Sequence, residues 1–186
     1  MAEHLCVVGL CGSLRLASFN RGLLLAATEL LADQAELAIP DLTGLPEFNE
    51  DLEAEPPTRV GELKRMVDDA DILLFATPEY NYSLPGWYKN VLDWLSRPAS
   101  TTPLRHKPAG IVTASAGERG GARAQLALRA TLVYTDTYVM NRPEIFVGRA
   151  GTKFSSGGRL EDQATRAELQ RYLEALLNWA RLVSRR

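Results

Sequence analysis

Two hydrophobic patterns alternate along this chain. Residues 5–10, 72–76 and 109–114 are short, nearly continuous apolar runs. Such runs suit strands buried on both faces of a parallel sheet. Between them, apolar residues recur at three- and four-residue spacing, the mark of amphipathic helices. This spacing predicts helices over 19–32 (Leu23, Leu24, Ala27, Leu30, Leu31), 58–69 (Val60, Leu63, Val67) and 86–96 (Trp87, Val91, Leu92, Leu95). Two more are expected over about 122–133 and 161–183, the last carrying Leu169, Tyr172, Leu173, Leu176, Leu177 and Ala180 on a core-facing stripe. Residues 35–39 read as a second strand ended by Pro40, and 137–140 and 144–147 as two short strands. Strand and helix alternate throughout, which predicts an α/β fold: a doubly wound parallel sheet of about five strands in three α/β/α layers. No repeat or boundary interrupts the pattern, so residues 1–186 read as a single domain.

In such folds ligands bind beyond the carboxyl ends of the strands, where strand order reverses. Three polar loops should therefore converge on one ligand: residues 12–20, 77–86 and 115–121. The first, Gly12-Ser13-Leu14-Arg15-Leu16-Ala17-Ser18-Phe19-Asn20, joins a strand to a helix N-terminus. Free N–H groups and the helix dipole favour a phosphate there. A serine-capped connection of no further purpose is the plainer alternative. The second loop brings Pro78, Glu79, Tyr80, Asn81 and Tyr82, flat rings and amides suited to a planar heterocycle. The third, Ser115-Ala116-Gly117, lets backbone approach the far end of such a ring. Phosphate at one end and a ring at the other describe a mononucleotide. Gly-x-Gly-x-x-Gly is absent after the first strand, which argues against a dinucleotide across the sheet, and no Walker A lysine pattern is present.

Composition narrows the class without naming a ligand. The 186 residues are 46% hydrophobic and carry a formal net charge of −2, which offers no electrostatic reason for nucleic acid or an anionic membrane. No apolar run approaches the roughly 20 residues of a membrane span. The amino terminus shows no basic segment or cleavage site of an export signal. Cys6 and Cys11 are expected as small buried thiols facing opposite sides of one strand, which suits a reducing cytoplasm. His4 and His106 lack neighbours at ligand spacing and read as surface residues, so no metal site is expected. Lys89 and Asp93 form an i,i+4 helix pair. The long loop 40–57 is a candidate functional segment.

The motifs together carry a family likeness. Gly12-Ser13-Leu14-Arg15 with Ser18 and Asn20, then Pro78-Glu79-Tyr80-Asn81-Tyr82-Ser83, Pro85-Gly86, Lys89-Asn90 and Asp93-Trp94, then Ser115-Ala116-Gly117 with Gly120-Gly121-Ala122-Arg123 and Gln125, stand in one order and spacing. In these the chain resembles the NADPH-dependent FMN reductase family, the flavodoxin-like quinone, chromate and azo-dye reductases. Tyr88 and Cys11 depart mildly from the family pattern.

The resemblance implies a flavodoxin-like fold and one non-covalent FMN per subunit. Ser13, Leu14, Arg15, Ser18, Phe19 and Asn20 would hold the phosphate end. Pro78, Glu79, Tyr80 and Asn81 would line the ring, with Ser115, Ala116 and Gly117 on its far side. It implies NAD(P)H as co-substrate, quinones, azo dyes, chromate or free flavin as acceptors, and ping-pong turnover. The cofactor carries the chemistry, so no catalytic side chain is required. A homodimer or homotetramer is implied too, with Phe48, Tyr80, Tyr82, Trp87 and Tyr88 as an exposed aromatic contact. Arg123 is then placed to reach Glu144 of a neighbouring subunit. A flavodoxin-type electron carrier is the main competing reading, although a docking carrier needs a stronger field than −2 supplies. A flavin-free regulatory domain is the other, against which the intact phosphate loop weighs.

Overall fold

The computed structural model describes residues 4–184. Residues 1–3 of the amino-terminal stretch and the basic tail residues Arg185 and Arg186 lie outside them. The strands are β1 (Leu5–Cys11), β2 (Ala35–Ala38), β3 (Ile72–Ala76), β4 (Pro108–Ala114), β5 (Tyr138–Val139) and β6 (Ile145–Val147). The helices are α1 (Phe19–Leu31), α2 (Thr58–Asp69), α3 (Gly86–Leu95), α4 (Ala122–Tyr134) and α5 (Gln163–Val183). Strand order is β2-β1-β3-β4-β5, with every pairing parallel. β5 pairs with the start of β4 and β6 with its end, so the two short strands are successive pieces of one fifth position.

Alternating side chains of the central strands feed two cores. Ile72, Leu74 and Ala76 pack with α1 and α5; Leu73 and Phe75 pack with α2, α3 and α4. This is why β1, β3 and β4 read as unbroken apolar runs. The expected α5 stripe, from Leu169 to Ala180, is buried throughout. Tyr172 extends it into the sheet: its hydroxyl accepts the Ile111 N–H (2.6 Å) and donates to the Ile111 carbonyl (3.0 Å). The chain leaves β1 in one direction to form β2 and in the other to form β3. The crevice therefore opens above β1 and β3.

Four expectations about side chains need correction. Trp87 is only half-buried, and Tyr88 and Trp94 take the core face of α3. Tyr88 is fully buried, donates its hydroxyl to the Leu10 carbonyl (2.7 Å), and is no subunit contact surface. Phe48 lies edge-on against Trp94 (5.0 Å), and the Asn90 amide and Trp94 indole both donate to the Pro46 carbonyl. The long loop is thus stapled to α3, and of the five aromatics expected as a contact only Tyr80 and Tyr82 are exposed. Cys6 is exposed because β1 starts at the rim of the sheet, whereas Cys11 is buried; both are free thiols. Lys89 and Asp93 pair at 2.6 Å, as their spacing predicts. Among the described residues no helix is long and apolar enough to cross a membrane.

Candidate functional site

The loop after β1 is built to leave donors free. Ser18 is the N-cap of α1, and its hydroxyl oxygen accepts the Arg21 N–H (3.2 Å). The N–H groups of Phe19 and Asn20, in the first turn, have no intrahelical acceptor. No acidic side chain stands in that turn to take their place. Ser13 is half-buried, and Arg15 is exposed, its guanidinium 5.6 Å from the Phe19 ring centre. Among the described residues Arg15 forms no ion pair.

Asn20 acts differently from the expected phosphate grip. Its buried amide donates to the Ala114 carbonyl (3.0 Å) and accepts the Ala114 N–H (2.9 Å). Both side-chain groups are engaged, so the side chain clamps α1 to the end of β4. Its backbone N–H, in the first turn of α1, is the donor it leaves free on the main chain. The Cys11 thiol lies beside this loop and donates to the Ser13 carbonyl (3.5 Å). Burial pushes its pKa up, so it remains a protonated thiol at neutral pH.

The loop after β3 is a tight reversal. Tyr80 and Ser83 exchange both backbone hydrogen bonds (3.0 and 2.9 Å), with Asn81 at φ 49° and Tyr82 at φ 65°. Two positive φ angles make a type I′ turn. Asn tolerates that conformation, but an aromatic residue there is strained. The strain is held by Arg123, whose guanidinium lies 3.9 Å from the Tyr82 ring centre.

Arg123 also corrects an expectation. It bonds within its own chain, Nη1 donating to Glu79 Oε1 (3.1 Å), while Glu144 pairs with Arg142. The Arg123 backbone N–H donates to the other Glu79 oxygen (3.0 Å). Glu79 therefore caps α4, whose own N-cap, Gly121, has no side chain to do so. Gly121 is at φ 86°, and a Cβ there would lie 2.9 Å from the Thr113 Cβ. One carboxylate thus locks the second loop onto the third. Glu79 and Arg123 stand 44 positions apart, and no local pattern signals the pair.

The three loops meet. A cleft of about 190 Å³ is lined by Ser13, Arg15, Ser18, Phe19 and Asn20 from the first, Pro78, Glu79 and Tyr80 from the second, and Ser115 and Ala116 from the third. Leu14, Asn81 and Gly117 do not line it. Leu14 faces a neighbouring hollow, Asn81 sits at the exposed turn tip, and the Gly117 N–H donates to the Ser115 hydroxyl (3.2 Å). The donor set fits FMN at its phosphate end: two serine hydroxyls, one unpaired guanidinium and two free N–H groups. The cleft is smaller than the roughly 300–1,000 Å³ that encloses a drug-sized ligand. It has room for a phosphate and sugar-alcohol chain, leaving a ring against the exposed Tyr80–Tyr82 turn.

Comparison with known proteins agrees with this geometry. The family model described as NADPH-dependent FMN reductase matches residues 5–152. An NAD(P)H-dependent FMN reductase of Pseudomonas aeruginosa is 43% identical over 182 residues, 97% of this chain and 98% of that protein. An NAD(P)H:quinone oxidoreductase of Solanum tuberosum is 43% identical over 178 residues, 91% of this chain and 90% of that protein. Among solved structures, the flavoenzyme NAD(P)H:(acceptor) oxidoreductase FerB from Paracoccus denitrificans superposes with a TM-score of 0.87 at 33% identity, covering 95% of this chain and 97% of that one.

Proposed function

The chain belongs to the NADPH-dependent FMN reductase family and is an FMN-dependent NAD(P)H oxidoreductase, and from that premise we propose that it reduces quinones and related acceptors at one open flavin face. The observation that carries this reading is the convergence of three loops on one donor-lined cleft above β1 and β3. Ser13, Arg15, the Ser18 hydroxyl and the N–H groups of Phe19 and Asn20 hold the phosphate. Pro78, Glu79, Tyr80 and Asn81 border the ring on one side, and Ser115, Ala116 and Gly117 on the other. When bound, FMN supplies acceptance of a hydride from a nicotinamide and delivery of two electrons to the acceptor. Glu79, neutralised by Arg123, keeps the ring-side turn in place. Residues 1–186 act as one domain, in a reducing cytoplasm that supplies NAD(P)H.

Nicotinamide and quinone use the same face in turn. Initial rates at several fixed quinone concentrations then give parallel double-reciprocal lines, and lines that intersect mean a ternary complex and overturn the shared face. An electron carrier is separated by rapid anaerobic bleaching with NADH or NADPH in the absence of a second protein. Arg15 supplies a charge-assisted hydrogen bond of about 1.5–3 kcal/mol. Arg15→Ala is therefore expected to weaken FMN binding about tenfold or more, measured by flavin fluorescence titration. Unchanged binding would place Arg15 outside the phosphate site.

We also propose that the chain works as a homodimer or homotetramer in which a neighbour walls the exposed Tyr80–Tyr82 turn. Light scattering of the FMN-loaded protein tests this. A fully active species near the chain mass of 20.5 kDa would rule it out.

A further inference from the structure

A second hollow, about 250 Å³, lies on the other side of the phosphate loop. It shares Ser13 and Arg15 with the flavin cleft, and its own walls include Leu14, Leu16, Arg21 and Asp41. Arg21 stands in the first turn of α1, where a cation opposes the helix dipole. Like Arg15, it is exposed and forms no ion pair among the described residues. Two guanidinium groups without an ion-pair partner face one hollow, the side-chain chemistry that recognises an anion, and only Arg15 also lines the flavin cleft.

The remaining walls define the rest of the ligand. Asp41 is the hollow's carboxylate. It accepts the Thr43 N–H (2.9 Å) and hydroxyl (2.7 Å) and lies 3.7 Å from Arg59. The Thr43 hydrogen bonds hold its pKa below the usual carboxylate value, so it stays ionised with lone pairs free for a sugar hydroxyl. Leu14 and Leu16 are exposed, Leu16 completely, and form an apolar ledge for a flat ring. Phosphate, sugar and ring make a phosphorylated nucleoside.

We propose that this hollow takes the 2′-phosphorylated adenosine end of NADPH, and that Arg21 distinguishes NADPH from NADH. The inference rests on the neighbouring cleft being the flavin site. The shared Ser13–Arg15 wall lets a dinucleotide with its nicotinamide at the ring-side loops return its adenosine end past the phosphate loop. Arg15 faces both anions, so Arg21, which lines only the second hollow, carries the discrimination.

The test is calorimetric titration of the FMN-loaded protein with adenosine 2′,5′-bisphosphate and with adenosine 5′-monophosphate. The parent is expected to bind the bisphosphate about tenfold or more tightly, the range of one charge-assisted contact. Arg21→Ala removes most of that difference and Arg21→Lys keeps part of it, with flavin content unchanged in both. In steady state, Arg21→Ala raises the KM for NADPH by a similar factor relative to that for NADH. Equal binding of the two nucleotides by the parent, or an equal loss of both in Arg21→Ala, overturns the proposal. So does a Leu16→Asp variant that turns an assembled parent into a monomer with nucleotide binding intact, which makes the ledge a contact between copies. If flavin is retained and bleached by NADH while discrimination is absent, this inference alone fails. A protein that retains no flavin, or whose flavin neither nucleotide bleaches, fails the functional reading itself.

Discussion

Tyr88→Asp is expected to abolish the fold. Tyr88 is fully buried among Leu10, Phe75 and Leu92 in the core beneath α2, α3 and α4. Its hydroxyl donates to the Leu10 carbonyl (2.7 Å), the last-but-one residue of β1. Burial raises the phenol's pKa far above its ordinary value, so it remains a neutral donor at any working pH. Aspartate removes the ring, leaves a cavity, and places a carboxylate with no cation beside a carbonyl. Cavity and stranded charge together exceed about 4 kcal/mol, a large share of the roughly 5–15 kcal/mol that holds an ordinary domain folded. The expected readout is loss of the cooperative thermal transition, or insoluble protein. Tyr88→Phe separates the two causes. It keeps the ring, loses one hydrogen bond worth about 1 kcal/mol, and should melt slightly earlier with FMN affinity retained. A Tyr88→Asp variant that folds, binds FMN and merely dissociates would contradict the buried position.

Gly12→Ala is expected to damage the flavin site more than the fold. A Cβ at Gly12 would collide with the Thr77 hydroxyl and lie 2.7 Å from the Thr77 Cβ and 2.9 Å from Tyr88 Cδ1. Thr77 and Tyr88 are both fully buried, so neither can swing aside. Overpacking of this kind costs about 1–3 kcal/mol. The displacement acts directly on the site, because Gly12 precedes Ser13 and Thr77 precedes Pro78. The first and second loops are forced apart, and FMN binding should fall along with the melting temperature. Adding Thr77→Ala removes the hydroxyl and one methyl. The double variant should recover part of both losses, a coupling that distant sites would not show. If Gly12→Ala alone melts and titrates like the parent, the close approach of the two loops is not what holds the cleft.

Much of the architecture was legible because its causes are local. A residue buried on both sides of a sheet must be apolar at every position, so β1, β3 and β4 stand out as unbroken runs. The α5 stripe is equally plain, since one helix face meets the core at fixed spacing. Three polar loops at the carboxyl ends of strands then follow from topology, and their convergence on one cleft was expected from the alternation alone. The family motif added the cofactor.

What stayed hidden depends on which face a residue presents and what it meets there. Tyr88 and Trp87 are adjacent on one helix; periodicity puts Trp87 on the core face, whereas the fold buries Tyr88 and leaves Trp87 half-exposed. Phe48 looked exposed because its partner, Trp94, lies far along the chain. Asn20 has the composition of a phosphate ligand, yet its amide is taken by Ala114, 94 residues away. Arg123 has no partner nearby in sequence, yet Glu79 occupies it within the chain.

The sequence by itself therefore determined the order of elements, the layers and the three loops, because periodicity and turn chemistry are properties of neighbouring residues. Only the tertiary structure decided which donors remain free for a ligand. A hydrogen-bonding group is available or engaged according to what the fold brings within about 3 Å of it, and that distance is not written in any local pattern.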